Sequence, residues 1–122
     1  MTKKFLLLLL ALPLLLAGCT KTATPEAKTS LLDNKTIIFY GDTCPHCKIL
    51  EQYLEDNKIN DRMTMEKMEI YKNADNAKLM MEAVSRCGLS QSNVGVPFLW
   101  TENKCYVGGD EATAFFKAKF KL

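Results

Sequence analysis

The sequence carries almost no surplus charge. Sixteen basic residues stand against 14 acidic ones over 122 positions, a formal net charge of +2. That balance supplies no phosphate-neutralising excess, so nucleic-acid binding is not expected. There is no apolar run of membrane-spanning length. The longest, residues 5–16, is about a dozen residues where a spanning helix needs about 20, and Pro13 interrupts it. There is no internal repeat. Apolar residues at 48% and charged residues at 25% are globular proportions, which excludes disorder over most of the length. There is no second close cysteine pair. Cys87 and Cys105 stand 18 apart, so the spacing of a four-ligand zinc site is missing. Lys48 rather than histidine follows Cys47, which removes haem attachment. What is present is an odd number of cysteines, five, so at least one lies outside any intramolecular disulfide.

The odd cysteine has an explanation at the N-terminus. Lys3 and Lys4 precede the apolar run, and Leu16-Ala17-Gly18-Cys19 follows it. A basic start, a short apolar stretch and small residues before a break describe a secretory signal. Cysteine directly after Ala-Gly resembles a bacterial lipobox. The resemblance implies cleavage before Cys19 and acylation of its thiol with chains such as palmitate. Several acyl chains on one residue give stable anchoring, where a single chain is marginal. Cleavage removes Lys3 and Lys4 and leaves basic and acidic side chains equal in number. Residues 20–30 carry no large apolar side chain and cannot bury enough surface to fold. The expected organisation is a signal over 1–18, a lipidated N-terminus and tether over 19–32, and one folded domain over 33–122.

Within that domain, residues 36–40 (Thr-Ile-Ile-Phe-Tyr) form a continuous β-branched and aromatic run, which suits a strand buried on both faces. Residues 41–43 form a turn, and Pro45 fits the first turn of a helix that runs to about Asn57. Its apolar residues are Cys47, Ile49, Leu50, Tyr53 and Leu54; the row Cys47, Leu50, Leu54 gives one face. A strand is expected over 64–70, though its alternation is poor. Asn73 and Gly88 bracket a helix carrying Ala74, Ala77, Leu79, Met80, Met81, Ala83 and Val84. Residues 89–95 are a polar loop. Val96-Pro97-Phe98-Leu99-Trp100 is a strand entered through proline, residues 101–104 are a turn, and residues 105–107 return. Gly108-Gly109 closes that strand. A helix over 110–119 turns Ala112, Phe115, Phe116 and Ala118 inward. The order is strand, helix, strand, helix, strand, strand, helix. It implies an α/β mixed sheet of four strands flanked by three helices.

The chemistry sits at Cys44-Pro45-His46-Cys47. Two cysteines three positions apart join a buried strand to a helix. At the helix start, free backbone N–H groups and the helix dipole stabilise an anion. Cys44 is therefore expected to ionise more readily than a free thiol and to act as nucleophile. Cys47, one turn on and toward the helix's inner face, is expected to be the less exposed, resolving thiol. His46, when protonated, adds positive charge beside Cys44, whereas Asp42 opposes ionisation there. A purely structural bridge across three positions would staple very little chain.

This CxxC after a buried strand, with Val96-Pro97 entering a strand about 50 residues later and Gly108-Gly109-Asp110 before a last helix, resembles the thioredoxin superfamily. The resemblance covers about residues 33–122. Its compact form is nearest to glutaredoxin-like domains, and Cys-Pro-His-Cys is similar to the motif of Dsb-type periplasmic thiol oxidants. It implies a thiol–disulfide oxidoreductase with a redox-active Cys44–Cys47 disulfide. It further implies a cis bond before Pro97 that presents the Val96 backbone to an extended substrate, and no organic cofactor or metal. The chain departs from the family in two places. Strand 36–40 offers no buried acid, and Asp42 and Thr43 stand where many glutaredoxins have a glutathione-holding lysine. Glutathione is therefore not expected as substrate.

The expected partners are protein thiols or disulfides and an upstream redox protein, the expected state is a monomer, and the expected location is the bacterial envelope, facing the periplasm or outer surface. The missing acid and His46 lean toward an oxidant or isomerase, and a tethered reductase remains open. The alternative reading is a non-enzymatic accessory or copper-chaperone-like lipoprotein using the same cysteines. Cys87 and Cys105 could form a second disulfide, suited to an oxidising compartment and a small core, or remain two separate buried thiols. The methionines, including Met63, Met65, Met68, Met80 and Met81, read as core filler. Lys117, Lys119 and Lys121 read as a solvated helix face.

Overall fold

The computed structural model describes residues 29–122. The expected signal, the expected lipidation site at Cys19 and most of the expected tether lie outside the described residues. The apolar run 36–40 becomes β1 (Ile37–Tyr40), placed at the centre of a four-stranded sheet ordered β2-β1-β3-β4. A central strand is covered on both faces, which is why it carries no polar alternation. β2 (Glu66–Glu69) pairs with β1 in parallel, and β3 (Phe98–Thr101) pairs with it antiparallel. β4 (Lys104–Val107) closes the far edge antiparallel to β3. β2 is an edge strand with no fully buried residue, which explains its poor sequence pattern.

The register sorts the core into two layers. Ile37 lies opposite Trp100 and Phe39 opposite Phe98, and these four face α2 (Ala74–Arg86) with its buried Met80 and Val84. Ile38 lies opposite Leu99, and both face α1 (Pro45–Asp56) and α3 (Gly108–Phe120) through Leu50, Leu54, Phe115 and Phe116. This is a thioredoxin-like architecture. The antiparallel pairing of β1 and β3 brings the end of β1 and the start of β3 to one end of the sheet, where the site lies.

Five expectations shift. The folded part reaches back past residue 33. Leu32 is fully buried, and its carbonyl accepts the indole N–H of Trp100 at 2.8 Å. A buried indole needs a partner, and here the segment before β1 supplies it. Ser30 donates to Glu82, and the Arg86 guanidinium binds Asp33 at 2.7 Å, holding that carboxyl below its usual range. α3 starts at Gly108 rather than 110. Ala118 is exposed, and Phe120, one turn beyond Phe116, takes the inward place with Arg62 stacked over its ring at 4.4 Å. Ile49 is 67% exposed, off the row of Cys47, Leu50 and Leu54. The turn between β3 and β4 narrows to Glu102 and Asn103, both at positive φ (53° and 57°), the paired left-handed geometry of a two-residue hairpin loop.

Candidate active site

β1 ends at Tyr40, and the turn 41–43 delivers Cys44 to the N-cap of α1. Cys44 is extended (φ −80°, ψ 114°), Pro45 takes the first helical position, and the Cys47 backbone N–H donates to Cys44 Sγ at 3.1 Å. Cys44 and Cys47 are joined as a disulfide, their Cα atoms 5.3 Å apart. Exposure does not separate the two as expected: Cys44 is 5% and Cys47 7% exposed. What separates them is the cap. Cys44 Sγ receives a backbone N–H and the positive end of the helix dipole, and Cys47 lies inside the first turn.

The other half of the site comes from the entry to β3. The Val96–Pro97 bond is cis, and the Val96 carbonyl oxygen lies 3.6 Å from Cys44 Sγ. The Pro97 carbonyl accepts from Gly108 N–H at 2.8 Å, with Gly108 at φ +84°. Gly108 therefore belongs to the site's frame and does not merely end a strand. Replacing it by alanine forces a side chain into the left-handed region and is expected to cost about 1–2 kcal/mol. Urea unfolding of Gly108→Ala measures this directly, and an unchanged midpoint would show that the backbone accommodates the methyl group.

Between α1, the Val96–Pro97 segment and the start of α3 runs a groove of about 360 Å³, lined by His46, Ile49, Val96, Pro97, Gly109 and Asp110 among others. Behind Cys47 lies a smaller cavity of about 170 Å³, bounded by Cys47, Leu50, Glu51, Asp42 and Lys67 among others. In that cavity Lys67 of β2 binds Glu51 of α1 at 2.9 Å. Glu51 stands one turn after Cys47 on α1, but it is exposed and does not replace the missing buried strand acid. Asp42 is not free to oppose Cys44. It is ion-paired with Lys72, which holds the Asp42 carboxyl below and the Lys72 ammonium above their usual values.

Sequence reasoning singled out Cys44, His46, Cys47, Val96 and Pro97, and these all meet at one end of the sheet. It passed over Glu51, Lys67 and Lys72, which carry no motif and are recognisable only through their partners. Cys87 and Cys105 lie elsewhere. They are bridged, with Cα atoms 6.2 Å apart, joining the C-cap of α2 to β4. Among the described residues no cluster of three or more histidine, cysteine or acidic side chains could hold a metal ion.

No family model matches the sequence, and no curated protein matches it. Among solved structures the chain is similar to buckwheat glutaredoxin in its glutathione complex, at 15% identity and a TM-score of 0.49, over 72% of this chain and 71% of that one.

Proposed function

We propose that this protein is a membrane-tethered, extracytoplasmic thiol–disulfide oxidoreductase acting on protein substrates. The observation that carries the proposal is the placement of Cys44. It caps α1, is bridged to Cys47, and has its Sγ 3.6 Å from the carbonyl oxygen of Val96, a residue that lines the groove. As an oxidant, a substrate thiolate attacks Cys44 Sγ and breaks the Cys44–Cys47 bond. Cys47 leaves as a thiolate and takes a proton, and the mixed disulfide forms on Cys44. The substrate's second thiolate then attacks its own sulfur in that mixed disulfide and expels Cys44 as thiolate. Two electrons have passed to the Cys44–Cys47 pair, and an upstream disulfide-bearing protein removes them.

The reverse sequence makes the protein a reductase. Cys44 thiolate opens a substrate disulfide, and Cys47 closes onto Cys44 to release the second substrate thiol. In both directions Cys44 is the group that ionises readily and Cys47 the group that must gain or lose a proton. Asp42, Lys48 and the Glu51–Lys67 pair line the cavity behind Cys47 and are the charged groups bordering the path of that proton. His46 and Ile49 border the groove, and Val96 and Pro97 form its wall beside the reacting sulfur. No organic cofactor or metal enters the reaction, and a single copy suffices. Acylation at Cys19 tethers the domain to the membrane through the polar segment that follows it. The test is insulin reduction, or oxidation of a model dithiol peptide, by wild type and Cys44→Ser. The variant is expected to retain only the uncatalysed rate; equal activity in the two would refute the assignment.

A further inference from the structure

The turn that carries Cys44 is gripped by the loop between β2 and α2. Gly41 begins the turn and its φ is not in the left-handed region, so its backbone does not call for glycine. Its neighbour does: a β-carbon on Gly41 would overlap three ring atoms of Tyr71. Tyr71 is 54% exposed, so the ring is not there to fill the core. The loop that presents it is tightly built. Glu69 accepts the backbone N–H of Tyr71 at 2.7 Å and of Lys72 at 2.9 Å, and Asn76 donates to the Glu69 carbonyl at 2.9 Å. Lys72 then reaches Asp42, the residue after Gly41 and two before Cys44.

We propose that Lys72 is a positioning residue for the redox turn: with Tyr71 seated on Gly41, it holds the Asp42 carboxylate and cancels its charge beside Cys44. The inference rests on the exchange reaction proposed above and concerns how readily Cys44 ionises. A carboxylate two residues from a reactive thiol favours the neutral thiol, and a cation bound to that carboxylate removes the effect. Among the described residues, Lys72 is the cation ion-paired with Asp42, and the other charges near Cys44 are placed differently. On α1, His46 and Lys48 are exposed and Glu51 is bound to Lys67 of β2; Asp110 lies at the start of α3; and residues 94–97 carry no charge.

The pH dependence of Cys44 alkylation by iodoacetamide, located by mass spectrometry on the reduced full-length protein, reads the thiolate directly. Lys72→Gln is expected to move the midpoint up by about half a unit, the size of a screened surface charge. That is roughly threefold less thiolate on the acid side of the profile. Asp42→Asn combined with Lys72→Gln is expected to return it to the wild-type value, since the charge being masked is gone. Gly41→Ala, which displaces the ring, should shift the midpoint in the same direction as Lys72→Gln. An unmoved midpoint in Lys72→Gln, or a shift that persists in the double variant, would overturn the proposal. Insulin reduction by the wild type is scored separately, so failure of the exchange reaction and failure of the Lys72 role give different results.

Discussion

Cys47→Ser is expected to accumulate as a covalent adduct with its substrate through Cys44. The reason is geometric. Cys47 begins the inner row of α1 and is held one turn from Cys44, at a Cα separation of 5.3 Å. A thiol fixed that close attacks as an intramolecular group, and such groups outpace free thiols by large factors. Starting from the reduced protein and a disulfide substrate, the first attack by Cys44 needs only its own sulfur, which the cap still serves. Serine at 47 keeps the backbone N–H that donates to Cys44 Sγ. The first step therefore survives and the second does not. Turnover is expected to fall roughly 100-fold or more, with one substrate chain bound per protein. Non-reducing electrophoresis shows the adduct as a band that dithiothreitol removes. If Cys47→Ser turns over at the wild-type rate with no adduct, Cys47 is not the resolving thiol.

The site was legible where its parts are local. β1 announces itself because a central strand must be apolar throughout, and the two cysteines announce themselves because a helix N-terminus acts on the residue that caps it. Pro97 was visible as a strand entry. What the sequence concealed depends on contacts between distant segments. Glu51 sits on the helix of the cysteines but looks like a solvated residue until Lys67 is placed opposite it. Lys67 in turn lies on an edge strand whose alternation was too weak to assign faces. Asp42 was expected to work against Cys44. Only the fold of the 69–72 loop brings Lys72 to it. The boundary expected at residue 33 leaves Leu32 in the tether, whereas its carbonyl accepts from the Trp100 indole 68 positions away, a contact no local pattern reveals. Ile49 was grouped with the helix's apolar residues, but helical geometry turns it out beside the groove. Composition and periodicity report burial against a local partner; they do not report a long-range polar match.

Removing the second bridge with Cys87→Ala and Cys105→Ala is expected to lower stability by about 3 kcal/mol while leaving exchange at the Cys44–Cys47 pair intact at low temperature. The two cysteines are 18 positions apart, so the bridge closes a loop of that order in the unfolded chain. In the chain-entropy view a loop of that size restrains the unfolded state by about 3 kcal/mol. For a domain of this size that corresponds to a fall in Tm of roughly 15 °C. The bridge also sits where the fold is thinly held. It joins the end of α2 to β4, the outer strand, and the segment after it, residues 88–93, is exposed throughout. The pair is not a second catalytic couple. Cys87 caps the C-terminal end of α2, where the dipole is negative and opposes a thiolate, the reverse of Cys44. Its partner lies in β4, three residues before Gly108 bonds to Pro97, so the covalent tie ends on the strand that leads into the active-site frame without touching it. Thermal unfolding and insulin reduction of the double variant separate these roles. Loss of stability with retained exchange supports a staple. A change below about 1 kcal/mol would show that the unfolded loop is already restrained, and loss of exchange in a folded variant would tie the bridge to the chemistry.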